Sequence, residues 1–224
     1  MAFTKGLVRG LPIFAGYFPA AVAFGLAAGF AGFSLGEGLM MSLIVFAGAS
    51  QFMAVSLVAA SAGMVEIVLA TLLLNFRHFL MSASLFYRLK GFRVWLPLEA
   101  FGVTDETYSL LSFSREELTP SFVLGVELIS YLGWVSGTAV GLLGGDILPD
   151  KLQQSLGIVL YALFVALLIP EVRRFWRYGL VALSAGLIHT LFRAAGIFPA
   201  GWNIILSILA GAVSGFFFIP GEKK

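Results

Sequence analysis

The sequence predicts an all-α fold: a polytopic transmembrane helical bundle with about six to seven crossings, plus broken or re-entrant segments within residues 66–113. Three observations carry this. The 224 residues are 59% hydrophobic with a mean hydropathy of +0.97, more apolar surface than a water-soluble core of this size can hide. Charged residues make up 12%, about half the share usual in a soluble domain. Several apolar stretches approach or exceed the roughly 20 residues needed to cross about 30 Å of hydrocarbon, and none shows the strict alternation of a transmembrane β-strand.

Hydrophobic segments follow one another at roughly 11–31, 39–61, 66–86, 95–113, 120–145, 153–170, 177–197 and 199–219. The first follows Lys5 and Arg9 and is longer than a signal-peptide core, so it reads as an uncleaved first helix. Pro19 within it frees a backbone carbonyl. Protein or water must satisfy that group, so Pro19 marks either a tolerated kink or a break at a binding site. The second segment holds Gly48-Ala49-Ser50-Gln51-Phe52 near its middle. Gln51 either bridges two helices or binds the ammonium or carboxylate of a small zwitterion, with a hydroxyl from Ser50 and close approach at Gly48.

Asn75, Arg77 and His78 interrupt the third segment. The fourth contains Glu99, Thr104, Asp105, Glu106 and Thr107, too polar for an ordinary lipid-facing crossing. Glu127, about two turns into the fifth, is either a shallow residue reaching the interface or a proton-coupled carboxylate. His189 and Arg193 of the seventh are four apart and share a face. Arg193 reaches the interface, and His189 reads as a packing residue. Glycine is abundant, at 26 residues, including Gly25, Gly29, Gly32, Gly133, Gly137, Gly141, Gly144 and Gly145. These allow close helix packing or hinges beside a cavity. AGYFPA at 15–20 and AGIFPA at 195–200 hint at an internal repeat.

The connectors orient the chain. Arg88, Lys90 and Arg93 lie in one, Arg173, Arg174 and Arg177 in another, and Lys223 and Lys224 follow the last segment. The positive-inside rule puts these in the cytoplasm, and the net-acidic connector with Asp146, Asp150 and Lys151 opposite. Residues 88–119 then return to the side they left, so the fourth segment dips in or lies shallow. If the third segment crosses fully, the chain makes seven crossings, with Lys5 and Arg9 outside. If the third and fourth are both broken, it makes six, with both termini inside. The continuous length of the third segment favours seven.

Polar groups at membrane depth are costly unless paired or facing water, and by default they mark a pathway. Glu99, Asp105 and Glu106 of the next segment are the acidic candidates to meet Arg77. An Arg77–Asp105 or Arg77–Glu106 pair would relieve the desolvation of both charges. It would serve either as a brace between segments or as the receiver of a substrate carboxylate. His78 is suited to carry a proton. Zinc-protease, hydrolase-elbow and Walker A motifs are missing. There is no cysteine, only two histidines far apart, and a net charge of +2. The sequence thus argues against thiolate chemistry, a metal site, a cofactor and nucleic-acid binding. Residues 1–224 read as a single integral membrane transporter domain driven by an ion gradient or by the substrate's own gradient.

The same stretches resemble the AzlC family, the large subunit of branched-chain amino acid exporters. The resemblance rests on the G-x-x-P-x-x-x-A-F-G pattern at Gly16–Gly25, FAGASQF at Phe46–Phe52, LNFRHFLMSASL at Leu74–Leu85 and VTDETYSL at Val103–Leu110. Four motifs in order, over nearly the whole chain, are specific together. The likeness weakens around 153–170, where Gly157-Ile158-Val159 and Leu160-Tyr161 stand in place of the family's aspartate–phenylalanine pair. The resemblance implies proton-coupled secondary export of leucine, isoleucine and valine, with methionine in some members. It also implies the bacterial cytoplasmic (inner) membrane and a small AzlD-type membrane subunit as partner.

The expected pathway residues are Pro19, Gly48, Ser50, Gln51, Phe52, Asn75, Arg77, His78, Thr104, Asp105 and Glu106. Phe46, Phe52 and Phe76 would form an apolar wall, and His78, Asp105, Glu106 and Glu127 would be available for proton coupling. The alternatives are a structural or assembly subunit of the membrane and a passive channel for small amino acids.

Overall fold

Two long helices pack so closely that only glycine fits between their backbones. They are α1 (Ala2–Phe30) and α7 (Pro120–Gly144). A Cβ on Gly6 would lie 2.2 Å from the carbonyl oxygen of Phe122, and one on Gly25 2.3 Å from that of Thr138. From the facing side, Gly137 meets the carbonyl of Phe18 at 2.4 Å and Gly141 that of Val22 at 2.2 Å. Small-residue packing of this kind replaces the hydrophobic drive that lipid removes. Rising numbers in α1 meet rising numbers in α7, so the two helices run parallel. Their starts share one end of the molecule, where Lys5 and Arg9 reach Glu116 at 2.8 and 3.8 Å. We call this the Lys5 end and the opposite one the Gly141 end. The glycines at 25, 133, 137 and 141 are therefore packing residues, whereas a Cβ added at Gly144 or at Gly145 would meet nothing within 4 Å. Gly32, at φ +88, sits in the turn after α1.

This computed structural model describes residues 1–86, 88, 89, 95–145, 165, 168, 169, 172–196, 198 and 200–218, and their ordered elements are helices. After α1 comes α2 (Leu35–Ile44), started by a capping box in which Ser34 and Glu37 satisfy each other's backbone N–H. It enters from the Gly141 end: Gly38 abuts Leu142, and the Ser42 hydroxyl lies 2.8 Å from that of Thr138. Residues 45–47 are not helical, with Val45 at φ −117, ψ 92 and Ala47 at φ −149, ψ 82. Then α3 (Gly48–Ala59) turns back. Gln51 donates to Ser42 Oγ at 3.0 Å, and Phe52 meets Phe24 edge-on at 5.4 Å. The segment at 39–61, expected as a simple crossing, is instead a re-entrant hairpin whose tip is Val45-Phe46-Ala47.

The next helix, α4 (Met64–Phe86), is unbroken. Ala70 clusters with Leu57, and Leu85 clusters with Leu118 and Phe122 at the Lys5 end. The third segment is therefore one continuous helix, long and apolar enough to cross a membrane, with Asn75, Arg77 and His78 inside it. The fourth divides into α5 (Leu96–Gly102) and α6 (Asp105–Phe113), separated by Val103 and Thr104 in extended conformation. Arg88 donates to the carbonyls of Leu111, Ser112 and Ser114, which fixes the return to the Lys5 end. This hairpin is re-entrant, as the charge pattern predicts. Its tip meets the first one, with Phe101 and Phe46 ring centroids 6.3 Å apart.

A crossing helix followed by a re-entrant hairpin thus occurs twice, in opposite directions: α1 with α2–α3, then α4 with α5–α6. This is an inverted-repeat arrangement. Of the second copy of the AGYFPA echo, Ile197 and Pro199 lie outside the described residues. Beyond the repeats, α8 (Arg177–Ala195) and α9 (Ala200–Phe218) form an antiparallel pair. Ser184 and Ser214 hydroxyls lie 2.6 Å apart, and Arg177 donates to the Phe218 carbonyl at 3.3 Å. Helices α1, α4, α7 and α8 are each long and apolar enough to cross a membrane.

Lys5, Arg9, Arg88 and Arg115 all lie at the Lys5 end, which the positive-inside rule assigns to the cytoplasm. Lys5 and Arg9 thus share an end with Arg88 and Arg115, contrary to the seven-crossing reading, because segment two rather than segment three is folded back. Most of the segment expected at 153–170 lies outside the described residues, as do Lys90, Arg93, Asp146, Asp150, Lys151, Lys223 and Lys224.

Candidate transport cavity

A cavity of about 680 Å³ lies where the two hairpin tips meet α1, α4 and α7. Tyr17, Phe46, Phe52 and Trp134 supply aromatic walls, and Gly48, Arg77, His78, Thr104, Asp105 and Glu106 also line it.

Each tip is built differently. At the first, Ala47 offers no side-chain cap to α3. The leading N–H groups at Gly48 and Ala49, which have no intrahelical acceptor, therefore sit on the cavity wall with the positive end of the helix dipole. Gly48 is required there because a Cβ would lie 2.5 Å from the Trp134 ring. At the second tip, Thr104 N donates to Thr107 Oγ1 at 2.7 Å and Thr107 N to Thr104 Oγ1 at 3.3 Å. Thr107 Oγ1 also donates to the Gly102 carbonyl at 3.0 Å. This closed cap holds Asp105 and Glu106 on the first turn of α6, where they face the cavity.

The charged groups are partnered across elements. Arg77 Nη1 lies 2.7 Å from Asp105 Oδ2. The Tyr17 hydroxyl donates to the Glu106 carboxylate and lies 2.6 Å from Thr104 Oγ1. His78 stands beside Arg77 on the cavity wall. Behind the first tip runs a buried polar ring. Trp134 Nε1 donates to Gln51 Oε1 at 2.7 Å, Gln51 to Ser42 at 3.0 Å, Ser42 pairs with Thr138 at 2.8 Å, and Thr138 donates to the Trp134 carbonyl at 2.9 Å.

Of the residues singled out in sequence, Gly48, Phe52, Arg77, His78, Thr104, Asp105 and Glu106 are brought to this cavity, with Phe46 in its wall. Others lie elsewhere. Gln51, 1% exposed, belongs to the ring that welds the first hairpin to α7. Ser50 donates to the Ala47 carbonyl within its own tip. Pro19 is on the exposed face of an uninterrupted α1, and Pro12 is the proline that lines the cavity. Asn75 does not line it, and its Oδ1 is buried without a partner. Phe76 is 58% exposed and stacks on Phe79. Glu99 lies beside Glu127 rather than Arg77, and Glu127 is buried, not shallow. His189 and Arg193 sit on α8, away from the cavity.

Tyr17 and Trp134 were not anticipated. An aromatic ring with a polar tip inside a membrane helix needs a partner when buried, and that rule alone would have singled out both.

A family model described as AzlC protein matches residues 12–148. The chain belongs to the AzlC family. The matched span contains both hairpins and every residue that lines the cavity. Among AzlC-like relatives, an uncharacterized membrane protein of Archaeoglobus fulgidus is 37% identical over 93% of this chain and 92% of its own length. Inner membrane protein YgaZ of Escherichia coli is 32% identical over 95% of this chain and 87% of its own. The branched-chain amino acid transport protein AzlC of Bacillus subtilis is 27% identical over 76% and 68% respectively. No solved structure matches the chain. Like these AzlC relatives, the chain is a multi-pass membrane protein.

Proposed function

We propose that this chain is the large subunit of a secondary-active, proton-coupled exporter of branched-chain amino acids, acting with a small AzlD-type membrane subunit. The observation that carries the reading is the cavity between two opposed re-entrant tips, which pairs aromatic walls with positive and negative polar groups. Its volume is in the usual range for small-molecule sites. The substrate carboxylate goes to the uncapped N-terminus of α3, at the N–H groups of Gly48 and Ala49. The ammonium goes to Asp105 and Glu106, and the aliphatic side chain to Phe46, Phe52 and Trp134. The name of the B. subtilis relative points to the same substrate class.

The test is efflux from bacteria lacking their own branched-chain exporters and loaded with dipeptides containing leucine, isoleucine or valine. Expression of the chain with its small partner is expected to release these three faster than alanine or lysine, and neither protein alone is expected to suffice. Equal release of all amino acids, insensitive to a proton gradient, would indicate a passive channel. Release of none, with the complex present in the membrane, would indicate an assembly role.

A further inference from the structure

Two carboxyl groups lie together away from the transport cavity. Glu99 on α5 and Glu127 on α7 are each 4% exposed. Both oxygens of Glu127 and Oε1 of Glu99 are buried without a hydrogen-bond partner. Both residues line a second cavity, of about 360 Å³, whose other walls include Phe79, Leu85, Val103 and Val123. Glu127 also lines a third, of about 270 Å³, beside Phe101 and Tyr131. The Glu127 carboxyl occupies the space left by a missing side chain, since a Cβ on Gly102 would lie 2.3 Å from its Cδ.

Among the described residues, no cation faces the pair. Among the described residues, the titratable groups that line the two cavities are Glu99, Glu127 and the Tyr131 phenol. On α4, Arg77 is held by Asp105. Arg88 is held by carbonyls at the end of α6. On α1, Lys5 and Arg9 are held at Glu116. On α6, Asp105 and Glu106 face the transport cavity and the Tyr108 hydroxyl lies 3.2 Å from Ser84.

A lone buried carboxylate carries a heavy desolvation cost, and two that share a site cannot both ionise cheaply. One proton removes a charge and supplies a donor where there was none. The four carboxylate oxygens of the pair fall short of the roughly six to eight that a calcium ion takes. We infer that the Glu99–Glu127 pair is a proton-binding site that couples the transport cycle to a proton gradient.

The second tip lies between this site and the transport cavity. Gly102, against which Glu127 rests, immediately precedes the break. Val103 lines the second cavity, and Thr104 lines the transport cavity. With the proton bound, α5 rests on α7. Its release leaves two like charges there, moves α5 off α7, and carries Thr104, Asp105 and Glu106 away from Tyr17 and Arg77. One O–H bond forms with a proton from water on one side and breaks by release to water on the other. Nothing else is consumed. The coupling rests on the transport reading above, but the proton site does not.

The experiment has a substrate-free arm and a transport arm. Infrared spectra of the chain purified in lipid should show the C=O stretch of a protonated carboxylic acid at neutral pH. That band should be lost in the E99Q/E127Q double variant, with size-exclusion behaviour confirming that the variant is folded. A wild-type protein without the band, or a double variant that keeps it, would overturn the proton site. In proteoliposomes containing the chain and its small subunit, leucine flux of the wild type should rise several-fold under a pH gradient. The ratio of flux with and without that gradient should fall to unity in E127Q and, separately, in E99Q. Unchanged gradient response in both variants, or a wild type driven by a sodium gradient instead, would overturn the coupling. A wild type that moves no branched-chain amino acid, yet shows the band and loses it on substitution, would refute the substrate assignment and leave the proton site standing.

Discussion

At the scale of single residues, the cavity separates two kinds of polar group. Arg77 and Asp105 form an ion pair whose side chains are 38% and 48% exposed, so cavity water screens whichever partner survives a substitution. Arg77→Ala and Asp105→Asn are therefore expected to abolish efflux while leaving the protein in the membrane, as measured by transport beside immunoblot. Normal efflux in both variants would remove the pair from the mechanism. Gln51 is the contrasting case. Gln51→Leu strands the Trp134 indole N–H in a dry interior, at about 1–3 kcal/mol, and takes from the Ser42 hydroxyl one of its two partners. The expected result is a lower melting temperature of the purified protein with unaltered substrate preference. A changed preference at wild-type stability would place Gln51 in the pathway after all. Sequence alone identified Gln51 as a polar group needing partners. It could not identify the partner, because Ser42 comes within reach only through the reversal at residues 45–47.

At the scale of elements, the two breaks differ in legibility for a physical reason. The second announces itself, since Thr104 and Thr107 can cap each other and the acidic residues between them belong on a helix's first turn. The first is written in Val45-Phe46-Ala47, with no proline and no glycine before Gly48, so tertiary contacts to Trp134, Tyr17 and Phe101 decide it. The same contrast separates glycines that look alike in sequence. Gly137→Leu would drive a side chain into the Phe18 carbonyl, a backbone group that cannot yield, and overpacking costs about 1–3 kcal/mol or more. In Gly144→Leu the added Cβ enters open space, with nothing within 4 Å. A thermal-stability assay should show a marked loss for the first and none for the second. Equal effects would contradict the parallel α1–α7 packing.

At the scale of the whole molecule, two crossing helices and two opposed hairpins place both tips at the same level of the bundle. This geometry allows access to alternate between the two sides around a fixed site. It also fixes orientation. The chain lacks cysteine, so a single introduced thiol reports unambiguously. Ala62→Cys, in the turn between α3 and α4, should react with an impermeant thiol reagent in intact cells. Arg115→Cys, beside Glu116 at the Lys5 end, should react only in inverted vesicles. The opposite pattern would invert the assigned topology. The charge of the connectors carried half of this answer. The other half, that the second segment turns back while the third runs on unbroken, depended on contacts between residues about a hundred positions apart.

The central claim is that branched-chain amino acids bind between the two tips. The most direct test is substrate protection at Ala20, which lines the cavity from α1. In membranes containing the Ala20→Cys chain and its small partner, a thiol reagent is expected to label the site. Leucine, isoleucine and valine should each slow that labelling, and lysine should not. Labelling that none of the three slows, in protein that still exports them, would place the substrate elsewhere and contradict the account.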